Sequence, residues 1–145
     1  MKSAFFVFSM LISLISYSQK IEKYYDYRWE PVAPNEARFY SLITKTDSGW
    51  YRLDYYIHER SLQMKGLFED SACTIRSGYF YFFYPNHNPS VFGKYLNGKK
   101  EGTWYTLFDD GLVQDSSFYH EGNMTGTHLR WYANGYPADS AVYNA

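Results

Sequence analysis

This sequence of 145 residues has few of the features that mark common functional classes. Its single cysteine, Cys73, cannot close a disulfide within one copy, so stability must come from packing. The formal net charge is −1, which excludes the basic surface of a nucleic-acid-binding protein. Nucleophile elbows, phosphate-binding glycine loops and zinc-protease motifs are missing. We therefore expect neither catalysis nor a bound cofactor or metal.

Long apolar runs are also scarce, and the longest stands near the N-terminus. Lys2 precedes the apolar stretch Ala4–Ile15, and the small residues of Ser16–Ser18 follow it. This order is typical of a cleavable export signal, and we predict cleavage between Ser18 and Gln19. The alternative is a membrane anchor, but the run is shorter than the about 20 residues that a spanning helix needs. The sequence thus predicts residues 1–18 as a signal peptide and a secreted or periplasmic product.

Aromatic residues, by contrast, are abundant. Tyr, Phe and Trp make up 22% of the chain. These side chains favour the half-buried surface of a β-sheet, and their abundance excludes disorder. The composition predicts one folded, mainly β domain.

The second half of the chain repeats with a period of 24 residues. Five columns share this spacing: Gly78, Gly102 and Gly126; Gly98 and Gly122; Gly111 and Gly135; Tyr84, Phe108 and Tyr132; and Tyr95, Tyr119 and Tyr143. Such regular recurrence indicates a repeat architecture, in which each unit packs on its neighbours.

Each unit is predicted to be a β-hairpin. In the second unit Gly102 opens a strand over Thr103–Phe108, and the turn Asp109–Gly111 leads into the return strand. Glu121–Gly122 closes this unit. The equivalent turns are Asn97–Gly98 in the first unit and Asn134–Gly135 in the third. Asn-Gly and Asp-Gly pairs accept the positive φ angles of tight hairpin turns.

An earlier, imperfect unit precedes the repeats. Gly66–Phe68 matches Gly93–Tyr95 at a spacing of 27, with a three-residue insertion within Glu69–Ser77, a loop that contains Cys73. We expect Cys73 to be buried or to act as an intermolecular thiol.

Two further strands are predicted before this unit, over Arg38–Thr44 and Trp50–Ile57, around a turn at Lys45–Gly49. Asn35 could instead cap a helix over Glu36–Ile43. Residues 19–60, as N-terminal strands and a covering segment, and residues 61–145, as hairpin repeats, are expected to form one domain.

The glycine and aromatic columns resemble the MORN-repeat variant family, bacterial hairpin-repeat proteins known as YwqK-type antitoxins. The resemblance covers residues 61–145 and is clearest over Gly93–Phe108. It is weaker over Tyr119–Tyr132, where His128 stands at the repeat position that Trp104 occupies in the preceding unit. The upstream matches are Tyr24–Asp26, Trp29, Asp54–Tyr56 and Gln63–Gly66, which resemble the leading region of Gram-negative TonB-family envelope proteins with MORN-like repeats. The resemblance implies a hairpin array, and an accessory or antitoxin-like partner of a toxin or TonB-type system.

Alternation along the strands divides the aromatic columns between two faces. We expect Phe80, Trp104 and His128 on one face together with Tyr84, Phe108 and Tyr132. The opposite face is expected to carry Tyr81, Tyr105 and Leu129, together with Phe83, Leu107 and Trp131. Because both faces are partly apolar, Gln19–Pro34 is a candidate cover. The candidate binding surface consists of Phe80, Tyr84, Trp104, Phe108, Trp131 and Tyr132; alternatively, these side chains are cross-strand ladders.

Other polar residues have structural interpretations. His58 and His87 lie next to predicted turns, and no histidine has the spacing of a metal site. Asp109 and Asp110 could be paired acids, but a hairpin turn explains them better.

These features predict an exported, non-catalytic scaffold that binds an envelope protein. The alternative is a glycan- or lipid-binding module that uses exposed aromatic columns. Ser140–Tyr143 starts a strand with no return strand, so a homodimer through this edge is a further expectation.

Overall fold

The computed structural model describes residues 19–144, so the predicted signal peptide at residues 1–18 lies outside the described residues. The strands are β1 (Lys20–Tyr25), β2 (Phe39–Thr46), β3 (Gly49–Tyr56), β4 (Ser61–Phe68), β5 (Arg76–Phe83), β6 (Pro89–Leu96), β7 (Lys99–Leu107), β8 (Val113–His120), β9 (Asn123–Trp131) and β10 (Pro137–Tyr143). They form one antiparallel sheet in chain order from β1 to β10. The predicted all-β hairpin array is confirmed.

The predicted turns join the strands at two alternating ends of the sheet. Asn97–Gly98 and Glu121–Gly122 are two-residue turns in which both residues have positive φ. At the other end the turns start at Tyr84, Phe108 and Tyr132. The carbonyl group of each accepts a hydrogen bond from the N–H of the residue three positions later. Hairpins follow directly from these short connections.

The periodic glycines have a different place from the one predicted. Gly78, Gly102 and Gly126 do not open their strands but lie inside β5, β7 and β9, with φ angles of 75°, 72° and 66°. The ladder shifts beside each of them: between Phe92↔Tyr105 and Lys94↔Glu101, β7 has two more residues than β6. Each glycine therefore belongs to a β-bulge, where its positive φ is required.

A second series of bulges confirms the imperfect early unit. One residue of each return strand has no partner in the preceding strand, namely Gln63, Ser90, Gln114 and Ala138. The spacing is 27 residues between the first two and 24 thereafter. The hairpin of β3 and β4 thus has the same construction as the three later hairpins.

The N-terminal region is also mainly strand. β2 replaces the alternative helix over Glu36–Ile43, and within residues 19–144 helical geometry is limited to one 3₁₀ turn at Pro34–Glu36. The turn between β2 and β3 is shorter than predicted, because Lys45 and Thr46 still pair with Trp50 and Gly49. Within residues 19–144, no helix is long and apolar enough to cross a membrane.

Gln19–Pro34 does not form the separate cover over the repeats that was expected. Lys20–Tyr25 is β1, which extends the sheet beside β2 at the edge opposite β10. After β1 the chain turns back, and the Val32 N–H donates to the Tyr24 carbonyl. β1 thus lies beside the repeats, while the loop after it reaches the core face, where Trp29 lines a pocket together with Arg76 and Phe82 of β5.

The core lies on one face of the sheet, here called the core face. Its buried apolar side chains come from β2 to β7: Ile43, Trp50, Met64, Phe68, Phe80, Tyr95 and Trp104. Aromatic rings meet edge to face along this core, with centroids 5.0 Å apart for Phe80 and Tyr95 and 4.9 Å for Tyr95 and Trp104. The other face, which carries Tyr81 and Tyr105, is called the tyrosine face.

Candidate functional site

Two residues of the candidate binding surface are core residues. Phe80 is 0% exposed and Trp104 is 3% exposed. Phe80 lies over Gly66 and Trp104 lies over Gly93, where the missing side chains leave room for the rings. The prediction of a binding role for these two residues is wrong, and the alternative of a cross-strand ladder describes them.

The other four residues of the predicted surface do not share one face. Tyr84, Phe108 and Tyr132 lie beyond the strand ends, where each begins a hairpin turn. The Tyr84 hydroxyl donates to the Leu107 carbonyl at 2.7 Å, so it ties two neighbouring turns together. Trp131 is half-buried at the end of β9. The expected column of Tyr84, Phe108 and Tyr132 therefore belongs to the turns and not to a strand surface.

The tyrosine face carries a row of side chains that crosses the whole sheet. Strand pairing places the following residues side by side: Glu22, Leu42, Leu53, Lys65, Tyr81, Phe92, Tyr105, Ser116, Leu129 and Ser140. Three central rings are stacked, with centroids 6.0 Å apart for Tyr81 and Phe92 and 5.1 Å for Phe92 and Tyr105. This row has no covering layer within the described residues.

The orientation of these rings determines what they can contact. Their interplanar angles are 20° and 29°, so each ring face is turned to its neighbour. The Lys65 ammonium lies 4.8 Å from the Tyr81 centroid and closes that end of the stack. Ring edges and tyrosine hydroxyls are what the row offers to a partner.

A second aromatic row lies beside the first, towards β1. Tyr24, Tyr40 and Tyr55 are paired across β1, β2 and β3, with centroids 5.2 and 6.0 Å apart. These rings line an open groove of about 490 Å³, with Arg60 among its other lining residues. Tyr40 and Tyr55 are not among the surface residues predicted from the sequence, although both lie within predicted strands and pair with each other on one face.

The core face also holds a buried charged group. The Arg52 Nε donates to Asp54 at 2.8 Å, and the Ser41 hydroxyl donates to the same carboxylate. Burial raises the pKa of Asp54 above its ordinary value, while Arg52 and Ser41 oppose this rise. Burial alone would lower the pKa of Arg52, but Asp54 raises it overall. Both members of this charged pair lie on β3, and their bonds with Ser41 link it to β2.

A serine, a histidine and an aspartate meet on β8 and β9. The Ser117 hydroxyl lies 2.7 Å from Asp115 and 2.8 Å from His128 Nδ1, and His128 Nε2 lies 3.2 Å from Asp115. Both hydrogen-bonding sites of the imidazole are thus occupied, and Ser117 is buried. This hydroxyl faces its two partners instead of an open cavity, so the cluster is suited to linking strands and not to attacking a substrate.

The remaining histidines and the paired acids have no common site. His58, His87 and His120 are exposed, and His120 contacts Glu101 at 3.1 Å. Asp109 and Asp110 lie in a hairpin turn, where Asp110 accepts the Leu112 N–H at 2.9 Å. In the part of the chain from 19 to 144, no group of three His, Cys, Asp or Glu residues is placed to hold a metal.

Comparison with known proteins identified no relative of this chain. No protein-family model, curated protein or solved structure gave a significant match to this chain. The resemblance to MORN-repeat variants over residues 61–145 stays a prediction from the sequence.

Proposed function

We propose that this protein is an exported, non-catalytic scaffold that binds another protein of the cell envelope through its tyrosine face. The observation that carries the proposal is the row of stacked rings formed by Tyr81, Phe92 and Tyr105 on a face without a covering layer in the described residues. Contiguous apolar surface rimmed by polar groups is typical of interaction sites. Tyrosines suit such surfaces because each combines a rigid apolar ring with a hydroxyl.

The ring geometry favours a protein over a glycan. A sugar packs on the open face of an aromatic ring, but here the ring faces are occupied by neighbouring rings. The exposed rings near the row are those of Tyr79 and Phe118. They form no continuous flat platform, because the non-aromatic Lys94 and Thr103 of β6 and β7 lie between them. Ring edges and hydroxyls fit the mixed apolar and polar surface of a protein.

Site-specific photocrosslinking in the native host tests this proposal. A benzophenone amino acid replaces Tyr79 or Phe118, which are exposed on the tyrosine face. The matched control position is Tyr136, which is 70% exposed but lies in a hairpin turn. We expect one discrete protein adduct from both test positions and none of it from the control.

Two outcomes contradict the proposal. If Tyr79 and Phe118 yield no protein adduct while glycan or lipid is recovered, the glycan- or lipid-binding alternative replaces it. If Tyr136 yields the same adduct with equal efficiency, the adduct does not report on the tyrosine face.

We also propose that β10 can pair with β10 of a second copy. Among the described strands β10 has a single neighbour, β9, and nearly all of its residues are exposed. An exposed strand edge offers free N–H and C=O groups to another strand. Light scattering of the full chain is expected to show a dimer that Val142→Pro disrupts, and a monomer at every concentration contradicts this pairing.

A further inference from the structure

The core face contains a pocket that the proposed scaffold function does not use. This pocket, here called the arginine pocket, has a volume of about 370 Å³. Its lining includes Trp29, Arg52, Gln63, Cys73, Arg76 and Phe82. It combines an apolar wall with two guanidinium groups on one side of the sheet.

Two of the lining side chains come from loops that are fixed in an uncommon conformation. Trp29 and Cys73 have positive φ angles of 64° and 58°. Bulky residues rarely adopt this conformation, because the side chain crowds the backbone. Trp29 occupies the same hairpin-turn position as His87 and Gly111. At such a position a bulky residue persists only where surrounding contacts enforce the conformation. Here the two strained residues line the same cavity.

Hydrogen bonds and ring contacts hold both loops in place. The Asp26 carboxylate accepts the N–H groups of Arg28 and Glu30 on either side of Trp29, and the Trp29 ring stacks on Phe39 at 4.4 Å. The Asp70 carboxylate accepts the N–H groups of Thr74 and Ile75, just after Cys73. The pocket walls are therefore formed before any ligand binds, which reduces the entropic cost of binding.

The polar side of the pocket has an excess of positive charge. Arg52 is paired with Asp54, and its bonds to Asp54 and Ser41 use two of its five N–H donors. Arg76 has no carboxylate partner within the described residues. It lies over the rings of Phe80 and Tyr95, 5.8 and 5.2 Å from their centroids. An anion in the pocket would therefore meet one guanidinium, that of Arg76, for which no carboxylate of the described residues competes.

The cysteine does not oppose an anion. Burial raises the pKa of the Cys73 thiol above its ordinary value, although Arg52 and Lys23 act in the opposite direction. The thiol therefore stays neutral at neutral pH. Asp70, the nearest acid on the same loop, already accepts bonds from Thr74 and Ile75.

We propose that the arginine pocket binds a small ligand with one oxyanion, a carboxylate or a phosphate, on an apolar body. Arg76 and the free N–H groups of Arg52 bind the oxyanion, and Trp29 and Phe82 pack against the apolar part. Guanidinium groups suit both oxyanions because their N–H donors form a planar fork. The site lies on the opposite face from the proposed protein-binding row and does not depend on it.

Titration of the full chain with three matched probes tests the proposal. The probes are phenylacetate, phenyl phosphate and the neutral phenylacetamide, and the readout is the NMR signal of the Trp29 indole N–H. We expect saturable shifts with one or both anions and about tenfold or more weaker binding of the amide. The stronger of the two anions identifies the ligand class as carboxylate or phosphate.

Variants of Arg76 separate this site from general anion binding. Arg76→Gln is expected to weaken anion binding about tenfold or more, whereas Arg76→Lys keeps the charge and should lose less affinity for the anion. Arg28→Gln is the control, because Arg28 is an exposed arginine of the Trp29 loop that does not line the pocket. Because Arg76 is exposed, the substitution should leave the fold intact, which circular dichroism checks.

Three results would overturn the proposal. The first is the absence of any Trp29 shift with either anion, and the second is equal binding of phenylacetamide. The third is an equal loss of affinity in Arg76→Gln and Arg28→Gln. The photocrosslinking from Tyr79 and Phe118 is read independently, so failure of one proposal leaves the other in place.

Discussion

Small residues on the core face make room for the aromatic ring of the next hairpin. Gly66 lies beneath Phe80, and Gly93 lies beneath Trp104. In the following unit Ser117 takes the small position, and its hydroxyl bonds to His128. Packing of ring on glycine thus gives way to a hydrogen bond towards the C-terminal hairpins. Along the same path the ring centroids separate, from 4.9 Å for Tyr95 and Trp104 to 6.5 Å for Trp104 and Tyr119.

Gly93→Ala is expected to lower the free energy of unfolding by about 1 to 3 kcal/mol. A β-carbon at residue 93 would lie well inside 3.0 Å of the Trp104 indole, which is buried and cannot move freely. The backbone of Gly93 has ordinary φ, so the cost comes from overlap and not from backbone strain. Urea unfolding of the variant and the wild type measures the difference.

A double-mutant cycle with Trp104→Val provides the control. If the overlap is the cause, Gly93→Ala costs less in the Trp104→Val background than in the wild type. An equal cost in both backgrounds would show that the indole is not responsible.

At the scale of the hairpin, equivalent turns differ in how well their residues suit the backbone. Asn97 and Glu121 occupy the same turn position in successive units, with φ angles of 51° and 50°. Asparagine tolerates this left-handed conformation, whereas the longer glutamate side chain does not. The Glu121 N–H donates to Glu101, and this bond does not need the Glu121 side chain.

We therefore expect Glu121→Asn to stabilise the protein by about 0.5 to 1 kcal/mol. The reciprocal change, Asn97→Glu, should destabilise it by a similar amount. Thermal unfolding of both variants measures the two shifts against the wild type. Shifts of the same sign would contradict a conformational origin.

The periodic glycines also show what a sequence pattern can and cannot predict for an element. The spacing of Gly98, Gly122 and Gly135 predicted the turns, because a tight hairpin turn leaves a local signature. The same spacing predicts that Gly102 starts a strand, but pairing resumes at Leu96↔Lys99 directly after the turn. A bulge glycine and a turn glycine both need positive φ, so the residue type alone does not separate them.

At the scale of the molecule, strand order was predictable and the functional surfaces were not. Short turns between consecutive strands leave few topologies other than a meander. Both faces of the sheet carry apolar residues, so alternation alone does not show which face is buried. Phe80 and Trp104 are buried because Gly66 and Gly93 on neighbouring strands leave room for their rings. The arginine pocket depends on the Trp29 and Cys73 loops, which lie outside the repeat and have no periodic signal.

The high tyrosine content makes the stability of the sheet sensitive to alkaline pH. Burial raises the pKa above the ordinary value of 10.0 for several phenols: Tyr25, Tyr40, Tyr51, Tyr56 and Tyr119. A raised folded-state pKa means that the folded chain holds these protons more tightly than the unfolded chain. Their contribution is complete below about pH 10 and is lost as the pH rises through the folded-state values.

Lys100 has the opposite effect on alkaline stability. It lies 4.4 Å from the Trp104 centroid, and burial lowers its pKa below 10.5 while Asp115 opposes that change. Its folded form releases a proton earlier, so this group adds stability as the pH rises towards the unfolded value. One lysine works against five tyrosines, and we expect the loss to dominate.

The urea midpoint is therefore expected to fall as the pH rises above about 10, together with the rise of tyrosinate absorbance. Tyr119→Phe should make this fall less steep, because it removes one phenol with a raised pKa. Lys100→Met should make it steeper, because it removes the opposing group. Each variant at neutral pH serves as its own reference for packing losses. A midpoint that is constant or rises over this range would show that the buried phenols do not control the alkaline limit of the fold.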